Sequence, residues 1–539
     1  MSRRQIILTV GVAVLAAAVI VRVRSIPSAG YADLLNLYAD WTAFERPPML
    51  DGAPDYTAET FARRHEELKQ YQTRLSAFDS SGWPVDQQVD YALVGAQMNG
   101  LDFYIRVLQP WARDPAFYKS VWTGQSDTPA HEGPTHHAVV ELWTYAFPLS
   151  APDEARLADE LSGIPPLLTQ ARRNLTGTAR DLWITGAGTM REQIADLTAL
   201  AERVPGAGAA LTSAIDAART ATAEFAGWLD GQAPSKTGPS GIGKENYTWS
   251  LRYVHLVPMS WEEEIVLLKR ELARAHASLR LEEQRNRGLP SLVAASSPEE
   301  YTSRANAAVT KYMAFLKNKD ILGVQDYLEP AMRAHIGGFV PESRRNFFAI
   351  ASHHEPMTLF AHFYHWFDHA WMKTAPHPSV IRRESRLFNV WDSRSEGMAT
   401  AMEELILHAG YYDDNPRARE IVWIMLAQRC ARGLASLYAQ ANEFDIAKAK
   451  AFQVEWTPRG WMRPDLDLLG FEQQLYLRQP GYGTSYVTGK SLIDELIKER
   501  SHQLGDAFTL RGFFDEFNGA GVIPVSLIQW QLTGVPPSR

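Results

Sequence analysis

Cysteine is nearly absent from this sequence of 539 residues, in which Cys430 is the only one. A single cysteine excludes an internal disulfide and a cysteine-based zinc site, so any metal must bind to His, Asp or Glu. An excess of basic residues is also missing, because 54 Lys and Arg stand against 62 Asp and Glu, giving a net charge of -8. This balance provides no electrostatic reason to expect nucleic acid as a partner.

Long runs that alternate apolar and polar residues are missing as well, and so is any repeat of fixed period. Ser260 and Glu263 instead form a capping box, which is a typical helix start. Apolar residues recur at three- and four-residue steps or their sum, as expected for amphipathic helices. One such face comprises Phe61, Leu68, Tyr71, Leu75 and Phe78. We therefore predict an all-α fold.

The beginning of the sequence has the pattern of an export signal. Arg3 and Arg4 precede an uncharged apolar run over residues 6–21, and Arg22 and Arg24 follow it. We expect the remainder to be periplasmic, or anchored to the cytoplasmic membrane and facing outward. As a helix the run spans roughly 24 Å, short for a membrane span yet slightly long for a cleaved signal, so both fates stay open.

The length of the chain favours two packed halves behind this leader. A Gly- and Pro-rich segment over residues 231–244 is the best candidate for the boundary between them. We predict a signal peptide or membrane anchor over residues 1–30, an N-terminal helical domain over 31–230 and a C-terminal helical domain over 245–539. Most of the clustered His and aromatic residues follow the linker, so chemistry is expected mainly there.

The densest group of potential metal ligands lies in the segment 356–372. If this segment is one helix that begins near its proline, His362, His365 and His369 fall within a sector of roughly 60°, opposite an aromatic face. Asp368 flanks the gap between the two faces. Imidazoles so placed can bind one ion, and zinc accepts His and carboxylate ligands. The alternative is that these histidines are satisfied core or interface groups.

A helix predicted downstream, EGMATAMEEL, supplies carboxylates. Glu396, Thr400 and Glu403 share one face of this helix, while its apolar residues occupy the other. Glu396 is therefore a candidate metal ligand, and Glu403 is a candidate catalytic carboxylate. The alternative is that both glutamates are solvated.

Two further groups of His and Glu are weaker candidates. Glu355 follows His354 and precedes Pro356, so we interpret it as a helix-start residue. The motif HEGPTHH lies in a Gly- and Pro-rich loop of the first half, where helical spacing does not apply. It is a candidate for lining the site, through His131, Glu132, His136 and His137.

Four segments together resemble the bacterial family called domain of unknown function 885: VDQQVDYALVGAQM, EGMATAMEELILHAGYY, PGYGTSYVTGK and FTLRGFFDEFNGAGVIPVSLI. Their order and spacing agree from about Asp90 to Trp530. Members are usually regarded as zincin-like metallopeptidases, with the signature His-Glu-x-x-Pro-Gly-His-His on one helix and a ligand on a downstream Glu-Gly-Trp-Ala helix. The resemblance implies a zincin-like helical architecture, a zinc ion, and a peptide or small amide as substrate.

The match to that signature is incomplete. The resemblance places His362 on its first histidine, His369 on its last, and Glu396 on the downstream glutamate. Phe363 occupies the position of the glutamate that activates water in a zincin, and phenylalanine cannot accept a proton. Asp368 stands where the penultimate histidine would be, which makes it a substitute ligand or base.

The segment PGYGTSYVTGK adds a candidate catalytic tyrosine. Tyr482 and Tyr486 lie four residues apart beside glycines that allow a close backbone approach. In the family the matching tyrosine lies near the substrate carbonyl, so the resemblance implies that Tyr486 stabilises an oxyanion. The alternative is a packed aromatic pair.

The sequence thus predicts a divergent extracytoplasmic metallopeptidase-like protein that hydrolyses peptide or amide bonds. His362, His369 and Glu396 are the expected ligands of a divalent metal, with His365 and Asp368 as additional ones. The competing hypothesis is an inactive pseudoenzyme that uses the same helical cleft for binding, and a different hydrolytic or lyase reaction is a third alternative. Contact with a membrane is expected only through the N-terminal helix, if it is uncleaved.

Overall fold

The structure is a computed structural model that describes residues 30–129, 136–384, 386–389, 391–466 and 468–537. Apart from Gly30, the predicted leader lies outside these ranges. Within them, none of the helices combines the length and the apolar composition that crossing a membrane requires.

The N-terminal half is built from helices joined by turns and two very short sheets. Strands β1 (Met49–Leu50) and β2 (Ala53–Pro54) pair antiparallel, while β3 (Val121–Trp122) and β4 (Val140–Glu141) pair in parallel. The helices are α1 (Tyr31–Glu45), α2 (Ala58–Ser76), α3 (Val85–Phe103), α4 (Pro110–Arg113), α5 (Ala151–Ser162), α6 (Ile164–Asn174), α7 (Arg180–Arg203) and α8 (Ala209–Gln232).

The C-terminal half consists of helices and connecting segments, without a strand longer than an isolated bridge among its described residues. Its helices are α9 (Lys244–Tyr253), α10 (Trp261–Arg285), α11 (Pro298–Asn318), α12 (Leu328–Arg333), α13 (Phe347–His354), α14 (Met357–Phe360), α15 (Tyr364–Thr374), α16 (Asp392–His408), α17 (Ala418–Gln440), α18 (Ile446–Trp456), α19 (Leu468–Arg478), α20 (Tyr482–Leu504), α21 (Leu510–Gly519) and α22 (Val525–Thr533). The all-α prediction is confirmed.

The predicted helix starts are confirmed at atomic detail. Ser260 Oγ accepts a hydrogen bond from the Glu263 backbone N–H at 3.2 Å, and the Glu263 carboxylate accepts one from the Ser260 N–H at 2.7 Å. This reciprocal pair satisfies two backbone donors that the first turn of α10 would otherwise leave without partners. In α2, the predicted apolar residues Phe61, Leu68 and Leu75 are buried.

Buried apolar side chains form one continuous cluster that includes residues from both halves of the chain. The predicted linker segment packs against the second half: the Gly241 N–H donates to Asn442 Oδ1 at 2.8 Å. A Cβ added to Gly241 would lie 2.4 Å from the Ala439 carbonyl oxygen, so only glycine fits this contact. The division into two domains stays a prediction, but the segment between them is held in place.

Glycines set how closely the helices around the site approach one another. A Cβ on Gly397 of α16 would lie 2.6 Å from the Cα of Gly489 in α20. Where α17 meets α20, a Cβ on Gly483 would lie 2.7 Å from the Cβ of Ser436. These contacts leave no room for side chains, so α20 lies directly against both α16 and α17.

Candidate metal centre

Three buried side chains from two parts of the C-terminal half meet at one point. Nε2 of His362 lies 3.0 Å from Glu396 Oε2, and Nε2 of His365 lies 3.2 Å from the same oxygen. One potential ligand atom from each of the three residues lies within 4.8 Å of the other two. The structure therefore brings together three of the five predicted metal ligands.

The histidine segment is not the continuous α-helix assumed from the sequence. The one-turn helix α14 ends at Phe360, residues Ala361–Phe363 form a 3-10 turn, and α15 begins at Tyr364. Side chains three residues apart eclipse one another in 3-10 geometry. His362 lies in this turn and His365 in the first turn of α15, and both side chains reach Glu396.

His369 lies outside this group, which corrects its expected position. It is one turn further along α15, where its Nε2 is 3.2 Å from the Ser126 carbonyl oxygen and its Nδ1 is 3.5 Å from Gln125 Nε2. Both of these polar neighbours come from the N-terminal half, while the ring stacks on Trp366 of α15. His365 and His369 share a face of α15, so the sector argument failed because it ignored their separation of one turn along the helix axis.

Asp368 is also placed differently from the prediction. Both of its carboxylate oxygens accept from the guanidinium of Arg394, at 2.9 and 3.0 Å, and both side chains are buried. A bidentate pair of this kind engages both carboxylate oxygens. Asp368 is therefore a structural partner of Arg394 in this structure and not a member of the ligand group.

Glu403 contacts the imidazole of His362 on the side opposite Glu396. Its Oε1 lies 3.0 Å from His362 Nδ1 and accepts from Arg429 Nη2 at 2.6 Å. The same Arg429 nitrogen lies 3.1 Å from His362 Nδ1. A carboxylate at Nδ1 is the usual second partner of a histidine that binds metal through Nε2. Glu403 is thus placed to orient His362.

The two tyrosines at the start of α20 extend the group. The Tyr482 hydroxyl donates to Glu396 Oε1 at 2.6 Å, and the Tyr486 hydroxyl lies 3.2 Å from that of Tyr482. The Tyr486 ring is nearly parallel to the His362 ring, at an angle of 11° and a centroid distance of 5.8 Å. The predicted tyrosine pair is therefore part of the site, with Tyr482 in direct contact with Glu396.

The charge of His365 and the charge of Glu396 depend on each other. Burial lowers the pKa of His365, but the Glu396 carboxylate outweighs burial and raises that pKa to about 9. Burial acts to raise the pKa of Glu396, but His365 and His362 hold it well below its usual range. Without a metal, His365 and Glu396 are an imidazolium and a carboxylate at neutral pH.

The donor set fits a zinc ion. Two His nitrogens and one Glu oxygen are a known set of protein ligands for catalytic zinc. Ligand atoms about 2.0–2.1 Å from a tetrahedral ion lie roughly 3.3 Å from one another. The separations of 3.0 and 3.2 Å from Glu396 Oε2 are close to that value and are also hydrogen-bond distances, and all three ligand atoms lie within 4.8 Å of one another.

A cavity of about 270 Å³ adjoins the group on the side of His362. Phe363 and Tyr486 line it, as do two arginines of α17, Arg429 and Arg432. Asp127, from a loop of the N-terminal half, also lines it, and its Oδ1 is buried without a hydrogen-bond partner among the described residues. Polar groups from both halves of the chain therefore face one apolar-walled space.

Arg429, Arg432 and Asp127 were not predicted from the sequence. The sequence does contain a signal for the two arginines, because they are charged residues three apart inside an otherwise apolar helix. Charged groups buried in this way are kept only with partners or a function. Asp127 had no comparable signal, since it lies in a loop far from the histidines in sequence.

The structure describes some of the weaker candidates, and none of those lines the cavity. His136 is buried, with Nε2 2.9 Å from the Lys119 carbonyl oxygen, and neither it nor His137 lines the cavity. His131 and Glu132 lie outside the described residues. Glu355 accepts from the Met357 N–H at 3.4 Å and from Asn415 Nδ2 at 2.7 Å, which agrees with a helix-start role.

A comparison with protein families tests the family resemblance that the sequence suggests. The profile of the family described as "Bacterial protein of unknown function (DUF885)" matches residues 45–350, which is more than half of the chain. The chain belongs to this family. The matched part of this DUF885 protein ends before His362, so the ligand group and most of the cavity lining lie beyond it.

Two solved structures have a similar fold. "The structure of a putative lipoprotein of unknown function from Shewanella oneidensis" is 16% identical, with a TM-score of 0.68, and the match covers 94% of this chain and 100% of that one. "The crystal structure of the putative lipoprotein from Colwellia psychrerythraea" is 13% identical, with a TM-score of 0.58, and the match covers 89% and 92%. A search of curated proteins finds no match.

Proposed function

We propose that this DUF885 protein is a metal-dependent hydrolase of peptide or amide bonds, related to the zincin-like peptidases. The observation that supports the proposal is the convergence of His362, His365 and Glu396 beside a cavity. This is the minimal set of three protein ligands found in catalytic zinc sites. A bound zinc ion would supply Lewis acidity to a substrate carbonyl.

The other residues of the site have separate tasks in this proposal. Glu403 lies 3.0 Å from Nδ1 of His362 and holds Arg429 beside the same nitrogen, so the two side chains together orient the imidazole with Nε2 towards Glu396. Tyr482 holds Glu396 through its second oxygen, which fixes the orientation of that carboxylate. Tyr486 lines the cavity and carries a hydroxyl that can donate to a developing oxyanion.

Asp127 is our candidate for accepting a proton from the attacking water, because it lines the cavity and Phe363 cannot accept a proton. Glu472 also lines the cavity, but its oxygens accept from Arg432 Nη1 at 3.0 Å and from Gln453 Nε2 at 3.3 Å. Asp127 Oδ1 has no such partner among the described residues. We therefore assign the role of general base to Asp127.

Phe363 favours a second candidate function, a binding protein without catalysis. It is half-buried on the cavity wall and stacks on Phe360 with ring centroids 4.9 Å apart. If catalysis has been lost, an apolar side chain at the usual position of the general base is the expected result. In that case the cavity would bind a ligand and release it without any chemical change.

We also propose that the protein acts outside the cytoplasm. The apolar leader with flanking arginines supports export, and the two proteins of similar fold are each described as a "putative lipoprotein". Fusion of the N-terminal segment to a periplasmic reporter tests this proposal. Reporter activity only in the cytoplasm would refute it.

Hydrolysis of short peptides with and without a chelator tests the enzymatic proposal. We expect turnover that the chelator abolishes, that zinc restores, and that falls by about 10²–10⁴-fold in Asp127→Asn. Asp326→Asn, an exposed aspartate away from the cavity, is the control and should keep full activity. Binding without turnover in a metal-loaded protein would support the pseudoenzyme instead.

A further inference from the structure

Two arginines that face the cavity carry donors that the protein itself does not use. Arg429 and Arg432 are 0% and 2% exposed, and both line the cavity beside His362. Nε and Nη1 of Arg429, and Nε and Nη2 of Arg432, have no hydrogen-bond partner among the described residues. Buried donors are nearly always paired in folded proteins, so these N–H groups indicate an acceptor that enters the cavity.

Both guanidinium groups are held in fixed orientations. Arg429 Nη2 donates to Glu403 Oε1 at 2.6 Å, and Arg432 Nη1 donates to Glu472 Oε1 at 3.0 Å. The Arg432 guanidinium also lies over the ring of Tyr486, 3.9 Å from its centroid. A guanidinium fixed by its own partners loses little entropy when it binds a ligand, and its planar donors match a carboxylate.

The charge of the pair favours a ligand with a single negative charge. Each arginine already faces one carboxylate, Glu403 or Glu472, which offsets most of its charge. A doubly charged phosphate would lie close to both of these carboxylates and be repelled by them. A carboxylate brings one charge and two acceptor oxygens.

Apart from Asp127, His362, Glu472 and the two tyrosines Tyr476 and Tyr486, the rest of the cavity wall is apolar. Its residues form a surface that suits a hydrocarbon or aromatic side chain, because burying such a group is favourable. They are Phe348, Leu359, Phe363, Leu468, Phe471 and Leu475. A ligand of this cavity therefore combines an anionic group with an apolar one.

We propose that Arg429 and Arg432 form a carboxylate subsite, and that the substrates are short peptides or N-acyl amino acids ending in an apolar residue with a free carboxylate. This inference rests on the proposed function, since it names the substrate class of the same site. It places the free carboxylate at the arginines and the apolar side chain against the phenylalanine and leucine wall.

Calorimetric titration of the full chain in the presence of a chelator tests the subsite without metal or turnover. The probes are N-acetylphenylalanine and N-acetylphenylalaninamide, which differ only in the carboxylate. We expect the carboxylate to bind about 10–100-fold more tightly, as for a charge-assisted bidentate contact. Equal affinity for the two probes would overturn the proposal.

Two variants locate the effect. The double variant Arg432→Gln/Glu472→Gln removes the ion pair without a net charge change and should abolish the preference for the carboxylate. The matched control Arg500→Gln/Glu516→Gln removes a pair that lies outside the cavity, with Nη2 and Oε2 2.7 Å apart, and should keep the preference. A preference that survives in the first variant would also overturn the proposal.

Thermal unfolding shows whether the double variant folds. If it does not, a third variant replaces it. Arg432→Lys keeps the charge but lacks the planar fork, so we expect the preference to fall about tenfold. An undiminished preference in this variant counts against the subsite. Because no metal is present, these outcomes are independent of whether the zinc proposal holds.

Discussion

Glu403 Oε1 lies 3.0 Å from Nδ1 of His362, and Glu396 Oε2 lies 3.0 Å from Nε2 of the same ring. Both glutamates belong to α16, seven residues and two turns apart. One helix therefore supplies a carboxylate to each nitrogen of one imidazole. This relationship distinguishes the two roles, because Glu396 belongs to the ligand group and Glu403 lies behind it.

Replacing Glu403 with Gln should weaken metal binding without removing a ligand. We expect a loss of about 10–100-fold in zinc affinity, because His362 loses the carboxylate that orients it and makes it more basic. Competition with a fluorescent chelator measures this. Glu404→Gln is the matched control, since Glu404 pairs with Arg274 at 2.7 Å and should leave zinc affinity unchanged. Equal losses in the two variants would show that only the overall charge matters.

Zinc binding should become tighter as the pH rises from 6 to 9. The pKa of His365 is raised to about 9 in the metal-free protein, and only neutral imidazole binds a metal, so each zinc must displace about one proton. Calorimetry in buffers of different ionisation enthalpy counts that proton. His365→Ala should bind zinc weakly and without this pH dependence. Binding by the parent protein that releases no proton would be incompatible with a role for His365 as a ligand.

The same group sets part of the stability of the metal-free protein. The pKa of His365 is higher in the folded than in the unfolded chain, so its contribution is fully present below about pH 6.5. That contribution should be lost as the pH rises through about 9. Urea unfolding of the chelator-treated parent and of His365→Ala at pH 6, 8 and 10 measures the difference. A difference that is constant across this range would refute the assignment.

The contact between α16 and α20 should tolerate no side chain at Gly489. A Cβ there would lie 2.1 Å from the Ser393 carbonyl oxygen, so Gly489→Ala must force the helices apart. We expect the free energy of unfolding to fall by about 1–3 kcal/mol or more, with loss of the contact between Tyr482 and Glu396. Gly227→Ala in α8 is the control, because its Cβ would meet nothing within 4 Å and should stabilise the helix by about 0.5–1 kcal/mol. Denaturant titration should give opposite signs for the two variants.

A buried glutamate behind the site should make stability depend on pH. Glu264 accepts from the hydroxyls of Tyr247 and Thr488, each at 2.8 Å, and burial raises its pKa to about 7. A raised carboxyl pKa contributes stability that is present below the unfolded value of about 4.5 and is lost as the pH rises to 7. Up to about 3 kcal/mol should disappear over this range. Glu264→Gln should remove that slope in denaturant titrations from pH 4.5 to 7.5, and an unchanged slope would mean that Glu264 is ionised in the folded protein.

Local signals in the sequence predicted the helices well, because caps and apolar periodicity depend on neighbouring residues. Ser260 and Glu263 are an example, and the shared face of Glu396 and Glu403 is another. The 3-10 turn Ala361–Phe363 could not be predicted in this way. It is a change of helix type inside a segment without a glycine or an internal proline, and packing against α16 is a tertiary effect.

The site could be predicted only where helical spacing or the family resemblance provided a signal. His362, His365 and Glu396 were found from helical spacing and the family resemblance, whereas the spacing put His369 on the wrong partners. Asp127 reaches the cavity from a loop in the other half of the chain, so its place depends on how the halves pack. Spacing along one helix carries no information about such contacts.

The metal content of the purified full chain tests the central claim most directly. After exposure to zinc and removal of the excess, elemental analysis of the parent protein and of His369→Ala should give one zinc ion per chain, because His369 lies outside the ligand group. The double variant His362→Ala/Glu396→Ala should retain almost none. A parent protein without stoichiometric zinc, or a double variant that retains it, would contradict the proposed metal centre.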